Sequence, residues 1–554
     1  MAGKVRVSPG RRGAHQTIAS ALGAVSGRRD ARVEIDPGRY PENLFVSGEV
    51  HVFASRPGTV EICPPTGTAV ETSGVVRLEG LIVSGRDNDV VRCAAGSLTI
   101  TGCTVTAQDG SPALHAPPGT AVAASDSEFR YGRAVFTGSR GTVKRCVFTD
   151  SSNNGLAATG GADVAVLLSR FDRCRIHGVL VRGGRVAATE CGFAGTGNSA
   201  LAADQHGHLD VTDCRIDSAR TTAISYGEQS RGTITGTTVE DADTGLLVTG
   251  GSDPLVRRCA FTGCRVAGIE VNTQGLGRFE EISVLRTQKF GLFVDTQGSP
   301  AVHRCRFAEG NLGIVVQNAH SRVTDTVLED LKNAAVRLLG QAQAELTGLH
   351  VTRCPTAVET NGTAYAELAG ARLQEIGLVG VVAQDSSRVR ATDCGGSGGH
   401  VAFSALGKAH LVLHDCRAAG VTLGGAGVLS EATVTARRFT VTGPVNFGVY
   451  AAEKSTVDVA DSSFAGTTVA GIGLIGSATA LVRDCEVPGP DGLAVHHQGR
   501  AVLERLRSPL RVVEVEPDPE PPRIINNYTG PVIHGDVIQS VLTWGNTVVH
   551  QTRD

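Results

Sequence analysis

The sequence is poor in what a large globular enzyme uses to build its core. Its 554 residues include one methionine, one tryptophan and 4% aromatics. A formal charge of −3 gives no electrostatic case for a nucleic-acid partner. No stretch approaches the roughly 18 consecutive apolar residues of a membrane helix. The basic start, Met1–Gly13, is not followed by the apolar run of a secretory leader. A soluble, cytoplasmic protein with no membrane partner is expected. The 14 cysteines include no Cys-x-x-Cys, and none has a histidine beside it at ligand spacing, so neither a metal nor a cofactor is expected. What abounds is glycine, at 70 residues, with Val, Thr and Ala, the composition of short strands joined by tight turns.

The cysteines mark a repeat. Apolar-x-apolar-x-x-Cys-x-apolar reads Leu98-Thr-Ile-Thr-Gly-Cys103-Thr-Val105, then recurs around Cys191, Cys214, Cys259, Cys305, Cys416 and Cys485. Other coils place Ser, Thr, Ala, Ile, Leu or Phe at the anchor, from Leu81 to Leu506, with a step of about 22 residues. Upstream of each anchor stands Gly-or-Ala, apolar, x, apolar, as in Gly178-Val-Leu-Val181 and Gly291-Leu-Phe-Val294. Each coil thus holds about three short period-2 strands, and successive coils pair in parallel. Helical repeats are excluded by the β-branched alternation, and leucine-rich repeats by the missing Leu/Asn signature. The fold predicted is all-β, a right-handed parallel β-helix of about twenty coils.

The ends fit the same plan. Gln16–Val25 patterns as a short capping helix, and Val33-Glu-Ile-Asp-Pro-Gly-Arg-Tyr40-Pro-Glu42 follows it. That phrase resembles the opening of pectin-lyase-like β-helix proteins, and as architecture the resemblance covers residues 14–508. It implies no single activity, because that superfamily holds lyases, hydrolases, esterases, epimerases and non-enzymes. Nor does it carry catalytic residues over. Asn272-Thr-Gln and Gln205-His-Gly-His208 come nearest to polygalacturonase-like blocks but lack the acids, and the Arg-x-Pro-x-x-Arg of pectate lyases is missing. The expected organisation is a cap and first coil at 1–62, the β-helix at 63–508, an acidic Pro-rich linker at 509–523 and a short β module at 524–554 containing Trp544.

In a solenoid, residues at one register stack, so columns can be read for chemistry. The Cys column reads as a ladder of small inward side chains. The residue before each anchor is mostly charged, and Asp393 and Asp415 fall on adjacent coils. Two carboxylates ~5 Å apart would suit acid and base roles; the simpler reading is a turn ladder. Asn272, Asp295 and Gln317 form either a stacked turn ladder or the polar floor of a groove. The histidines, His303 and His414 among them, read as exposed turn residues without a carboxylate and arginine beside them. The outward position of the upstream strand holds Phe136, Leu180, Leu247, Phe293, Val315, Val382 and Tyr450, mixed with Arg92, Glu270, Arg337 and Glu359. That is too apolar for idle solvent exposure, and fits contact with a partner or cover by a loop.

The sequence reads as a non-enzymatic scaffold or recognition rod that binds a protein, or a glycan, along this face. Trp544 and the C-terminal module would dock or drive self-association. The Met-poor, Ala/Gly/Arg-rich style resembles actinobacterial β-helix proteins that accompany AAA-type ATPases, which implies such an ATPase as partner. The alternative is a polysaccharide lyase, epimerase or hydrolase built on Asp393 and Asp415.

Overall fold

The computed structural model describes residues 4–108, 110–489 and 492–515, and the chain divides into two compact units, Met1–Ser283 and Val284–Asp554. Both are parallel β-solenoids. A coil of the first unit runs through Val179–Arg182, Arg185–Thr189 and Gly192–Ala194. One of the second runs through Leu312–Gln317, His320–Thr324 and Val327–Glu329. These three strands define a first, second and third face. Pairing between coils is parallel and steps by one repeat: Val179 faces Leu201, and Val315 faces Arg337.

The turn between the second and third faces explains the charged column. Its single residue adopts a left-handed backbone, with φ of 52° at Glu190, 50° at Asp393 and 53° at Asp415. That reversal swings the next residue, the anchor, into the interior. The anchor is more than a small hydrophobe, because its side chain serves the neighbouring coil. Ser127 Oγ accepts from Cys103 N at 3.1 Å, Ser169 Oγ from Cys146 N at 3.1 Å and Cys214 Sγ from Cys191 N at 3.4 Å. Each then donates to the carbonyl two residues back, as Ser169 does to Leu167 at 2.8 Å. Ser, Thr and Cys therefore share the column, each able to satisfy a buried N–H.

The interior of the first unit holds an aromatic stack on the third face. Phe129, Phe148, Phe171 and Phe193 lie 4.8, 4.7 and 5.0 Å apart with nearly parallel rings. Room for them comes from glycine at the start of the first face: a Cβ on Gly178 would meet Phe193 Cδ1 and Ala200 O at 2.6 Å.

At the N-terminus, helix Ile18–Val25 buries Ile18, Ala21 and Val25, with Thr17 as cap. Glu42, at the end of the Val33–Glu42 phrase, also caps the helix, accepting from Ile18 N and Ala19 N at 3.0 and 2.9 Å. Lys4–Val7, in the basic start, is a strand paired with Ala31–Ile35. Val512–Glu514, assigned to the linker, is a further rung on Leu493–His497. The module at 524–554, with Trp544, lies outside the described residues.

Candidate functional site

Alternation along the first face sends every second residue outward, and the pairing puts those residues in one column. In the first unit it reads Phe45, Glu71, Arg92, His115, Val135, Ala157, Leu180, Ala202, Ser225, Leu247 and Glu270. The charged stretch carries a constellation the sequence reading missed. His115 Nδ1 lies 2.6 Å from Asp89 Oδ2, and Arg92 stands 4.0 Å from the same oxygen. Asp89 comes from the loop just before the strand that carries Arg92, and Glu71 is the next rung. The carboxylate engages Nδ1, so Nε2 is the ring nitrogen that Asp89 does not hold. A second such group lies on the second face: Asp210 takes His208 at 3.1 Å and Arg185 at 2.8 Å. It also accepts from Thr233 N and Oγ1, which ties it into the ladder. The expectation that no histidine meets both a carboxylate and an arginine is therefore corrected.

In the second unit the column reads Phe293, Val315, Arg337, Glu359, Val382, Ser404, Gly427, Tyr450, Gly473, His496 and Val513. Residues flanking the column fold over it. Leu312 and Ala334 close on Val315, while Phe447, Leu423 and Ile475 close on Tyr450. Phe290 and Phe293 remain half-buried on this layer, their rings stacked at 4.8 Å. Further along, Arg337 and Glu359 pair at 2.8 Å with 15% and 3% of their side chains exposed. Asn361 donates to Glu359 at 3.0 Å, and Arg337 donates to Asn333 at 3.3 Å. Those amides meet part of the desolvation cost of burying a charge pair.

Several sequence assignments shift accordingly. Phe136 is not outward: Val135 holds the column, and Phe136 is fully buried facing inside. Val315, Val382 and Tyr450 are outward in register, yet each is at most 2% exposed because the flanking residues cover it. Leu180, Leu247 and Phe293 stay half-buried. Asn272 donates to Glu270 at 2.9 Å, and Asp295 accepts from the next backbone N–H at 2.7 Å, as turn residues do. Gln317 ends the strand Leu312–Gln317 and faces Leu339.

Asp393 and Asp415 are each tied to an arginine. Arg438 Nη2 donates to Asp415 at 2.7 Å, and Arg372 stands 3.4 Å from Asp393. The Arg438 guanidinium holds Asp415 below the usual carboxylate range, opposite to the raised acid that a proton-sharing pair requires. Among the described residues no three His, Cys, Asp or Glu side chains gather at metal-binding distance.

The family model for the right-handed β-helix region matches residues 199–351 and 356–505. The chain belongs to the right-handed β-helix family. No curated protein matches it. Among solved structures, it is similar to the catalytic domain of a GH87 α-1,3-glucanase in complex with nigerose, at 11% identity, 65% of this chain, 66% of that one and a TM-score of 0.32. The chain thus spans just under two thirds of that catalytic-domain chain. It is also similar to tailspike protein 3 of bacteriophage CBA120, at 11% identity, with coverages of 72% and 63% and a TM-score of 0.28. A mannuronic-acid-specific polysaccharide family 6 lyase from human gut microbiota shares 11% identity, with coverages of 67% and 87% and a TM-score of 0.28.

Proposed function

We propose that this β-helix is a non-enzymatic recognition scaffold that holds a protein partner on the outward column of its first face. The observation carrying the reading is the Phe290–Phe293 stack, two half-buried rings on a closed apolar layer. Aromatic side chains already fixed by neighbours lose little entropy on contact and make the strongest interface anchors. The C-terminal segment, including Trp544, is assigned the docking or self-association role, with an AAA-type ATPase as the class of partner. Affinity enrichment from native lysate tests the first part, with intact protein and the Phe290→Ser/Phe293→Ser variant compared side by side. A protein retained by the first and lost by the second supports the proposal; identical retention overturns it. For the segment, solution mass is compared with and without residues 516–554, and an unchanged mass removes self-association.

A second reading has its own support. The His115–Asp89 pair with Arg92 places a positioned base beside a cation on an outward face, which suits a carbohydrate-active lyase, epimerase or hydrolase better than Asp393 and Asp415 do. A glycan-turnover screen decides: activity present in the intact chain and absent in His115→Gln would replace the scaffold reading with an enzyme.

A further inference from the structure

A cavity of about 630 Å³ lies in the first unit, away from the first face, with Arg39, Cys63, Arg86 and Gln108 in its wall. Its origin is local. Strand Val60–Ile62 pairs with Gly38–Tyr40, and Cys63 follows with its N–H on Tyr40 O at 3.0 Å. Pro64 and Pro65 then lack the N–H groups needed to prolong the ladder. The chain leaves the face at Cys63, and the thiol lines the cavity instead of the interior.

Cys63 thereby differs from every other cysteine of the chain. It alone is half-buried, and the other thirteen are buried. Burial pushes the Cys103, Cys146 and Cys259 thiols up to about 11 and those of Cys174 and Cys264 to about 12, so they stay protonated and unreactive. At Cys63 the surroundings are cationic and open. Arg39 Nε donates to its Sγ at 2.9 Å, and Arg86 adds a second exposed guanidinium. The counter-charge in the wall is Glu61, 3.6 Å from Arg39. The cavity thus offers an anion site and a reachable sulfur in one wall.

We infer that this cavity is a thiol-modification site, in which Cys63 exchanges with small disulfides that carry carboxylates. The Cys63 sulfur, as thiolate, attacks one sulfur of the bound disulfide. A new S–S bond forms and the original one breaks; the departing half leaves as a thiolate and takes up the proton that Cys63 gave to solvent. Cys63 is oxidised to a mixed disulfide, and the released half is reduced to a thiol. The arginines hold the carboxylates. The scaffold reading is independent of this, since none of these residues lies on the first-face column.

The test uses the intact folded protein and two probes, the dianionic 5,5′-dithiobis(2-nitrobenzoate) and the neutral 2,2′-dipyridyl disulfide. One fast equivalent is expected from each, mapping to Cys63 by peptide mass and lost in Cys63→Ser. The ratio of anionic to neutral rate should fall about fivefold or more in Arg39→Met/Arg86→Met. In the unmodified chain the same ratio should shrink between ~0.01 M and ~0.5 M salt. Fast labelling at another cysteine, or none, overturns the thiol assignment. A ratio indifferent to both the variant and salt overturns the anion site.

Discussion

Phe171 offers the sharpest test of how the solenoid is held together. It is fully buried, with Phe148 at 4.7 Å on one side and Phe193 at 5.0 Å on the other. Phe171→Ala removes both stacking contacts and leaves a cavity, at a cost of about 3–5 kcal/mol. Phe171→Leu keeps most of the volume, as Leu328 and Leu373 do at the same position in other coils. It forfeits the two ring contacts, or about 1–2 kcal/mol. Each coil touches only its neighbours, so the loss should stay local. The assay is native-state hydrogen exchange by peptide mass. For Phe171→Leu, protection should fall roughly 5- to 30-fold in strands 147–149, 170–172 and 192–194, and stay unchanged in Arg231–Thr235. Substituting Phe148 and Phe171 together by Leu should show coupling of about 0.5–1.5 kcal/mol, while Phe129 with Phe193 should be additive. Loosening spread evenly along the chain, or additivity at the adjacent pair, would refute the stacked-ladder account.

Other expectations follow from the same contacts. Ser169→Val strips the acceptor from Cys146 N and should destabilise by about 1–3 kcal/mol, whereas Ser169→Cys should be milder because Cys214 already plays that role; chemical denaturation ranks the two. Arg337→Leu removes the cation facing the buried Glu359 carboxylate and should cost about 3–5 kcal/mol, a loss that Arg337→Leu/Glu359→Leu largely recovers. Burial holds His177 below the usual histidine range, and its Nδ1 accepts from Ser199 N at 3.3 Å. The folded state therefore binds that proton less readily than the unfolded chain. Its contribution to stability is full above pH ~6.5 and is lost as pH falls through the folded value. A thermal melt series should show this decline shrinking in His177→Asn.

Much of the architecture is legible in the residues because one phase runs through all the coils. Cys, Ser and Thr recur at the anchor beside Leu, Ile, Ala and Phe, and where they stand the hydrogen bond to a neighbouring coil's buried N–H gives them a role that a purely hydrophobic ladder would not require. Facing is legible only where polarity alternates. Ala134-Val135-Phe136 is apolar throughout, so nothing in it marks which residue points inward, and Phe136 falls on the wrong side by one position. With that column slipped, His115 at the x of Ala113-Leu-His-Ala116 goes unnoticed, although the phrase itself signals an outward histidine. Its partner Asp89 sits in a loop 26 residues away, where strand periodicity gives no guidance. Tyr450 and Val382 are outward as read, but their cover depends on how flanking side chains fold across the sheet, which is a property of packing in three dimensions. Cys63 falls outside the repeat columns, which is why its surroundings had to be seen in the structure.

The proposed contact with a protein partner lies on the first face of the second unit, at Phe290 and Phe293. It is tested most directly by placing a photo-crosslinking phenylalanine analogue at position 293 in cells expressing the intact chain, with the same analogue at the exposed second-face position Glu345 as control. The account predicts a discrete heavier adduct containing a second polypeptide from position 293 and none from 345. No adduct at 293, or the same adducts from both positions, would contradict it.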